Sequence, residues 1–147
     1  MAQQIAENTR EGLHQKFHPN GRLFHEWTVV NGKQHGISRE WNENGVLIKE
    51  TPMKHGLVHG IVKQWNSEGR FLGEYKMKMG QGLIRKWAED GSLAIETERF
   101  SNNTRRTKIY GDPKKKFHEG FSLGGKPISK KKFYELNPAR KPRGRDQ

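Results

Sequence analysis

The stretch "GISREWNENG", residues 36–45, decides how the whole chain is read. Alone it could open any half-buried strand: glycine, then alternating apolar and polar residues, then tryptophan and a turn. The hexamer recurs as "GLHQKF" at 12–17, "GIVKQW" at 60–65 and "GLIRKW" at 82–87. Set in register, Gly12, Gly36, Gly60 and Gly82 begin it, and Phe17, Trp41, Trp65 and Trp87 end it. Four residues later stand Gly21, Gly45, Gly69 and Gly91, in "HPNG", "NENG", "NSEG" and "AEDG". Then follow Leu23, Leu47, Phe71 and Leu93, and three beyond those Glu26, Glu50, Glu74 and Glu96. A second glycine column, Gly32, Gly56 and Gly80, precedes the next hexamer; the last interval is two residues short, between Gly80 and Gly82. A period in the twenties with glycines in fixed places marks a stacked repeat.

Each unit reads as two strands. Asn, Asp, Glu or Ser ahead of glycine is the chemistry of a tight turn. The hexamers make one strand type, and residues 22–30, 46–54, 70–78 and 92–100 the other. Glycines at this frequency would each cost a helix about 1 kcal/mol. The expected fold is all-β: a single-layer antiparallel meander of stacked β-hairpin repeats, closed by a short C-terminal hairpin and helix. Strict alternation would set Ile37, Arg39 and Trp41 on one face, with Ile61, Lys63, Trp65, Leu83, Arg85 and Trp87. Ser38, Glu40, Val62, Gln64, Ile84 and Lys86 would take the other. The columns then hold neighbouring repeats together, each glutamate meets a column cation, and a cation beside a tryptophan can rest on its ring. On this reading Trp65, a column member, carries more stability than Trp27, which belongs to no column.

Composition divides the chain. Leu, Ile, Val and Phe make up just under a fifth of its 147 residues, and the net charge is +12. Residues 1–100 hold 14 Lys/Arg against 12 Asp/Glu, whereas residues 101–147 hold 14 against 4. The expected organisation is a lead-in at 1–11, a repeat sheet at 12–110, a basic cap at 111–137 and a disordered basic tail at 138–147. The absence of cysteine removes disulfides, thiolate catalysis and cysteine metal sites. No apolar run approaches the ~20 residues of a membrane span, and "MAQQIAENTREG" has no signal-type apolar stretch, so an intracellular protein is expected.

The motifs point away from catalysis. The chain has no glycine-rich phosphate loop before a helix, no G-x-S-x-G and no H-E-x-x-H. His35 and His59 recur before the hexamer glycine, but alternate hairpins would hold them about 10 Å apart, too far for one ion. No cofactor is expected. Candidate contact residues are the repeat columns: Phe17, Arg39, Trp41, Lys63, Trp65, Arg85 and Trp87. A second set is the cationic arm, in three clusters: Lys114, Lys115 and Lys116; Lys130, Lys131 and Lys132; Arg140, Lys141, Arg143 and Arg145. Ser129 is placed to cap a helix that Pro138 would end. Such an arm suits phosphate or an acidic protein, by charge rather than base stacking, since aromatics are sparse within it.

The order aromatic, three residues, glycine, Leu, Glu and then G-x-x-x-G resembles the MORN repeat variant, in particular YwqK-type antitoxin-like proteins. The resemblance covers about residues 12–100 and fades by Tyr110. It implies a single-layer sheet of stacked hairpins acting as a non-catalytic interaction module, in bacteria or large DNA viruses, sometimes as the partner of a toxin. "FSLGGKPISKKKFYEL", residues 121–136, resembles a tail such proteins carry: strand, Gly-Gly turn, strand, short helix. Three functions follow as expectations: a protein-binding scaffold with a cationic arm, an inhibitor that covers a toxin, or a nucleic-acid-associated basic protein. The oligomeric state is left open.

Overall fold

The computed structural model describes residues 10–111 and 116–140. The lead-in up to residue 9, Lys114, Lys115, Lys141, Arg143 and Arg145 lie outside the described residues. Thirteen strands form one open antiparallel sheet. The hexamers are β1 (Gly12–Phe17), β4 (Gly36–Trp41) and β7 (Gly60–Trp65), with the fourth inside β9 (Gln81–Trp87). Their partners are β2 (Leu23–Val30), β5 (Leu47–Lys54), β8 (Phe71–Lys78) and β10 (Leu93–Arg99). Two-residue strands β3 (Lys33–Gln34) and β6 (Leu57–Val58) pair back onto β2 and β5. The meander ends in β11 (Thr104–Ile109), β12 (His118–Leu123) and β13 (Lys126–Pro127), then helix α1 (Lys130–Leu136). Among the described residues no helix is long and apolar enough to cross a membrane.

The turns explain the repeat. At the hexamer's end, Gly45 N–H donates to the Asn42 carbonyl at 2.9 Å, and the Asn42 side-chain oxygen accepts from Asn44 and Val46 N–H at 3.0 Å each. Asn66 does the same for Glu68 and Arg70. The other side-chain end of each asparagine reaches the next turn: Asn42 Nδ2 donates to the Ser67 carbonyl, and Asn66 Nδ2 to that of Glu89. The residue after the aromatic thus both closes its own turn and stitches one repeat to the next. On the opposite edge, Asn31-Gly32, His55-Gly56 and Met79-Gly80 are two-residue turns with φ positive at both positions, matching the twist of flanking strands. The two residues missing before Gly82 include the counterpart of His35 and His59, which break β3 from β4 and β6 from β7. Without them β9 runs unbroken from Gln81.

Cross-strand pairing sorts the side chains into two faces. Glu26, Arg39, Glu50, Lys63 and Glu74 follow one another across adjacent strands, as do Arg85, Glu96, Lys108 and Glu119. This is the ladder face. The other, packed face carries Trp27, Val29, Ser38, Val62 and Met77, all buried. A one-layer sheet has no second layer to cover it, so it buries side chains by curling towards one face. Tyr75 on β8 accordingly feels the charge of Glu40, three strands away on β4.

The curl overturns the expected weight of the tryptophans. Trp27 is 4% exposed, and its ring stacks between His14 at 5.1 Å and His25 at 4.6 Å. Trp65 is only half-buried, edge-on to Phe71 at 5.9 Å. Alternation also fails at the aromatic end. In all four hairpins the register shifts by one residue at Phe17, Trp41, Trp65 and Trp87, the extra residue lying on the following strand. Such a bulge turns the strand locally. At Trp87 the consequence is visible: a side chain on Gly73, a packed-face position, would overlap the indole of Trp87. That ring therefore lies on the side opposite to Arg85.

Helix α1 forms where the sequence places it. Ser129 Oγ accepts from Lys132 N–H at 3.1 Å, and Phe133 is fully buried against Phe100 at 5.5 Å and Phe121 at 4.8 Å. Asn137 ends it, its side chain donating to Thr104 Oγ and the Phe133 carbonyl. Pro138–Arg140, expected as the start of an extended tail, is a turn of 3-10 helix. Arg140 is docked, 3.2 Å from Glu98 and over the Phe100 ring at 5.4 Å.

Candidate functional site

The ladder face gathers the column cations Arg39, Lys63 and Arg85, whereas Trp87 lies on the other face. Arg39 Nε donates to Glu50 at 2.9 Å, Arg85 Nε to Glu96 at 3.0 Å, and Gln15 Nε2 to Glu26 at 2.8 Å. Lys63 is exposed between Glu50 and Glu74. Cross-strand pairs of opposite charge contribute roughly 0.2–1 kcal/mol each, so the alternation sets strand order as much as it stabilises. The tyrosine hydroxyl of Tyr110 donates to Glu96, and this bond, ahead of Arg85, holds the carboxyl below its ordinary pKa against the opposing effect of burial. Among the described residues the column cations sit on no tryptophan ring. A glutamate directly across the strand pair is nearer than an aromatic two residues along, and the bulge has turned that aromatic away.

Beside the charges runs an apolar row. Leu13, Ile37 and Ile61, second in their hexamers, are 63%, 48% and 46% exposed. Their fourth equivalent, Leu83, is half-buried, in a crevice shared with Leu136, Asn137 and Arg140 beneath the end of α1. The C-terminal segment thus borders one end of the row, and the rest stands open. Phe17 and Phe71 add exposed rings near the turns.

The packed face is chemically different. His25 shares a 2.7 Å hydrogen bond between Nε2 and Ser38 Oγ, and burial pushes its imidazole below its ordinary pKa, favouring the neutral form. His35 and His59 are the single residues that separate β3 from β4 and β6 from β7, and His59 Nδ1 accepts from Met79 N–H. No group of three or more metal-ligating side chains occurs among the described residues.

The arm is partly neutralised. Lys130 lies 3.3 Å from Glu119, Lys132 3.7 Å from Glu135, and Arg140 bridges Glu98. Lys116 and Lys131 are exposed. Sequence reasoning found the charges but not these partners, because Glu98 and Glu119 belong to strands, and which strand face meets the helix is not written in residue spacing. It also missed Asn42 and Asn66, whose signal was present: a side-chain amide directly after two of the column tryptophans.

No curated protein matches this chain. Residues 34–55, which run from Gln34 through β4, its turn and β5 to His55, match the family model described as MORN repeat variant. That span covers one hairpin of the sheet, β4 with β5.

Proposed function

We propose that the protein is a non-enzymatic, intracellular repeat scaffold that binds another protein through its ladder face, with the basic C-terminal segment steering an acidic partner. The observation that carries the reading is the row Leu13, Ile37 and Ile61, exposed at hairpin spacing beside the charged column. Its fourth member, Leu83, is half-buried in a crevice that the chain's own C-terminal segment helps to line. The family match at residues 34–55 agrees, since repeats of this kind serve commonly as binding scaffolds. Apolar anchors ringed by polar groups are the usual anatomy of a protein interface.

The narrower form of this reading follows the likeness to YwqK-type proteins: the partner is a toxin, and covering it neutralises it. A phosphate-binding arm is less favoured, because three of its described cations already face carboxylates. The test is the double substitution Ile37→Lys with Ile61→Lys. Both sites are half-exposed, so the thermal melt should shift little, while the partner captured by wild-type protein from its native source should be lost. Where a toxin is that partner, rescue of growth by co-expression should disappear with the same variant. Unchanged affinity in the double variant would remove the ladder face from the interaction.

A further inference from the structure

The packed face carries a cluster that the repeat pattern does not explain. Six residues beyond the Leu/Phe column stand Val29, Met53, Met77 and then Arg99. Each lies across from a hexamer glycine: Val29 from Gly12, Met53 from Gly36, Met77 from Gly60, and Arg99 from Gly82. In β11, where Lys108 pairs with Glu96 as Arg85 does, the glycine position is Arg105, directly opposite Arg99. Two arginines thus face each other where three earlier repeats set an aliphatic or thioether side chain beside glycine. Arg99 Nε is buried with no hydrogen-bond partner. Neither arginine, nor Lys86, four residues along β9 from Gly82 on the same face, has an ion pair among the described residues.

This arrangement works against folding. Like charges directly opposed across a strand pair destabilise it, and a buried donor without an acceptor costs desolvation. Local rules broken without compensation inside the fold point to a ligand. Arg99, Arg105, Lys86 and Lys49 line one trough with Tyr75 and Thr97, and no carboxylate lines it. Its volume of about 360 Å³ is that of a small-molecule site. Lys49 is offset by Glu40 at 3.6 Å, which leaves three uncompensated cations.

We propose that this trough binds a small polyanion, a soluble molecule carrying two or more phosphate or carboxylate groups. The paired guanidinium forks of Arg99 and Arg105 take one group and Lys86 another; planar forks suit such bidentate contacts. The site is on the opposite face from the protein-binding row and stands independently of that reading.

The experiment is calorimetric titration and thermal melting of the full chain with inorganic pyrophosphate and, separately, citrate. Wild-type protein should bind pyrophosphate or citrate saturably at one site and melt higher with it; the tighter of the two assigns the ligand to phosphates or to carboxylates. Arg99→Met, which restores the column residue, should weaken binding about tenfold or more, the scale of one charge-assisted contact. Without anion it should melt at or above the wild-type temperature, because a like-charge pair is gone. Arg105→Gly should lose binding likewise, and Lys114→Ala with Lys115→Ala should retain it. Equal affinity in Arg99→Met and wild type, or no saturable binding of either anion, overturns the proposal.

Discussion

Trp27 shows what a single residue can mean in a sheet one layer thick. Alternation assigns side chains to two faces but carries no information on which face the sheet curls towards. Trp65 belongs to a repeated column and Trp27 does not, yet the closed side is Trp27's. Its indole fills the space between His14 and His25, with Lys16 Nζ 5.5 Å from the ring centre. Trp27→Ala should therefore cost about 3–5 kcal/mol, the range for buried aromatic truncation, and Trp65→Ala roughly half as much. Chemical denaturation of the two variants decides it, and equal losses would mean that the curl contributes little to stability. Trp27→Phe should be milder than Trp27→Ala, because the indole N–H is buried without a partner and its removal leaves no acceptor unsatisfied.

At the scale of the element, the hairpin was legible from the sequence and its distortions were not. Turn glycines, the paired glutamate and cation columns and the Ser129 cap are written in residue type and spacing, and each sits where that spacing places it. The bulge at every column aromatic is not written so, since it arises from strand twist where the pairing ends. Nor is the docking of Arg140, which depends on where β10 brings Glu98. The turn offers the cleanest test. Gly45 has φ +81°, where an L side chain costs about 1–2 kcal/mol, and a Cβ there would meet nothing within 4 Å. Gly45→Val should lose about that much from backbone strain alone, with no clash to add. Val46→Thr next to it, half-buried just before β5, keeps the β-branched shape and should stay within about 1 kcal/mol. If both variants melt like wild type, the turn is not where the hairpin's geometry is held.

At the scale of the whole molecule, neighbouring repeats touch only neighbours, so the sheet should behave as a sum of units and their interfaces. Excising residues 36–59 removes one period and joins His35 to Gly60, reproducing the junction that His35 makes with Gly36. β7 would then pair with β2 in the place of β4, bringing Lys63 opposite Glu26 where Arg39 stood, and Val62 beside His25 where Ser38 stood. Charge sign on the ladder face and burial on the packed face are both preserved. The shortened chain should fold cooperatively with a lower melting temperature, having lost one unit and one interface. Excising only residues 36–47 removes half a period, so a strand running one way is replaced by one that must run the other. That chain should lose the cooperative melt, since glutamate would follow glutamate, and His18 and Asn20 would lose the Trp41 and Glu43 carbonyls they bond. Circular dichroism melts of the two deletions separate the outcomes. Cooperative folding of both would show that the repeats tolerate any register, and that the columns, however regular, do not specify the order of the strands.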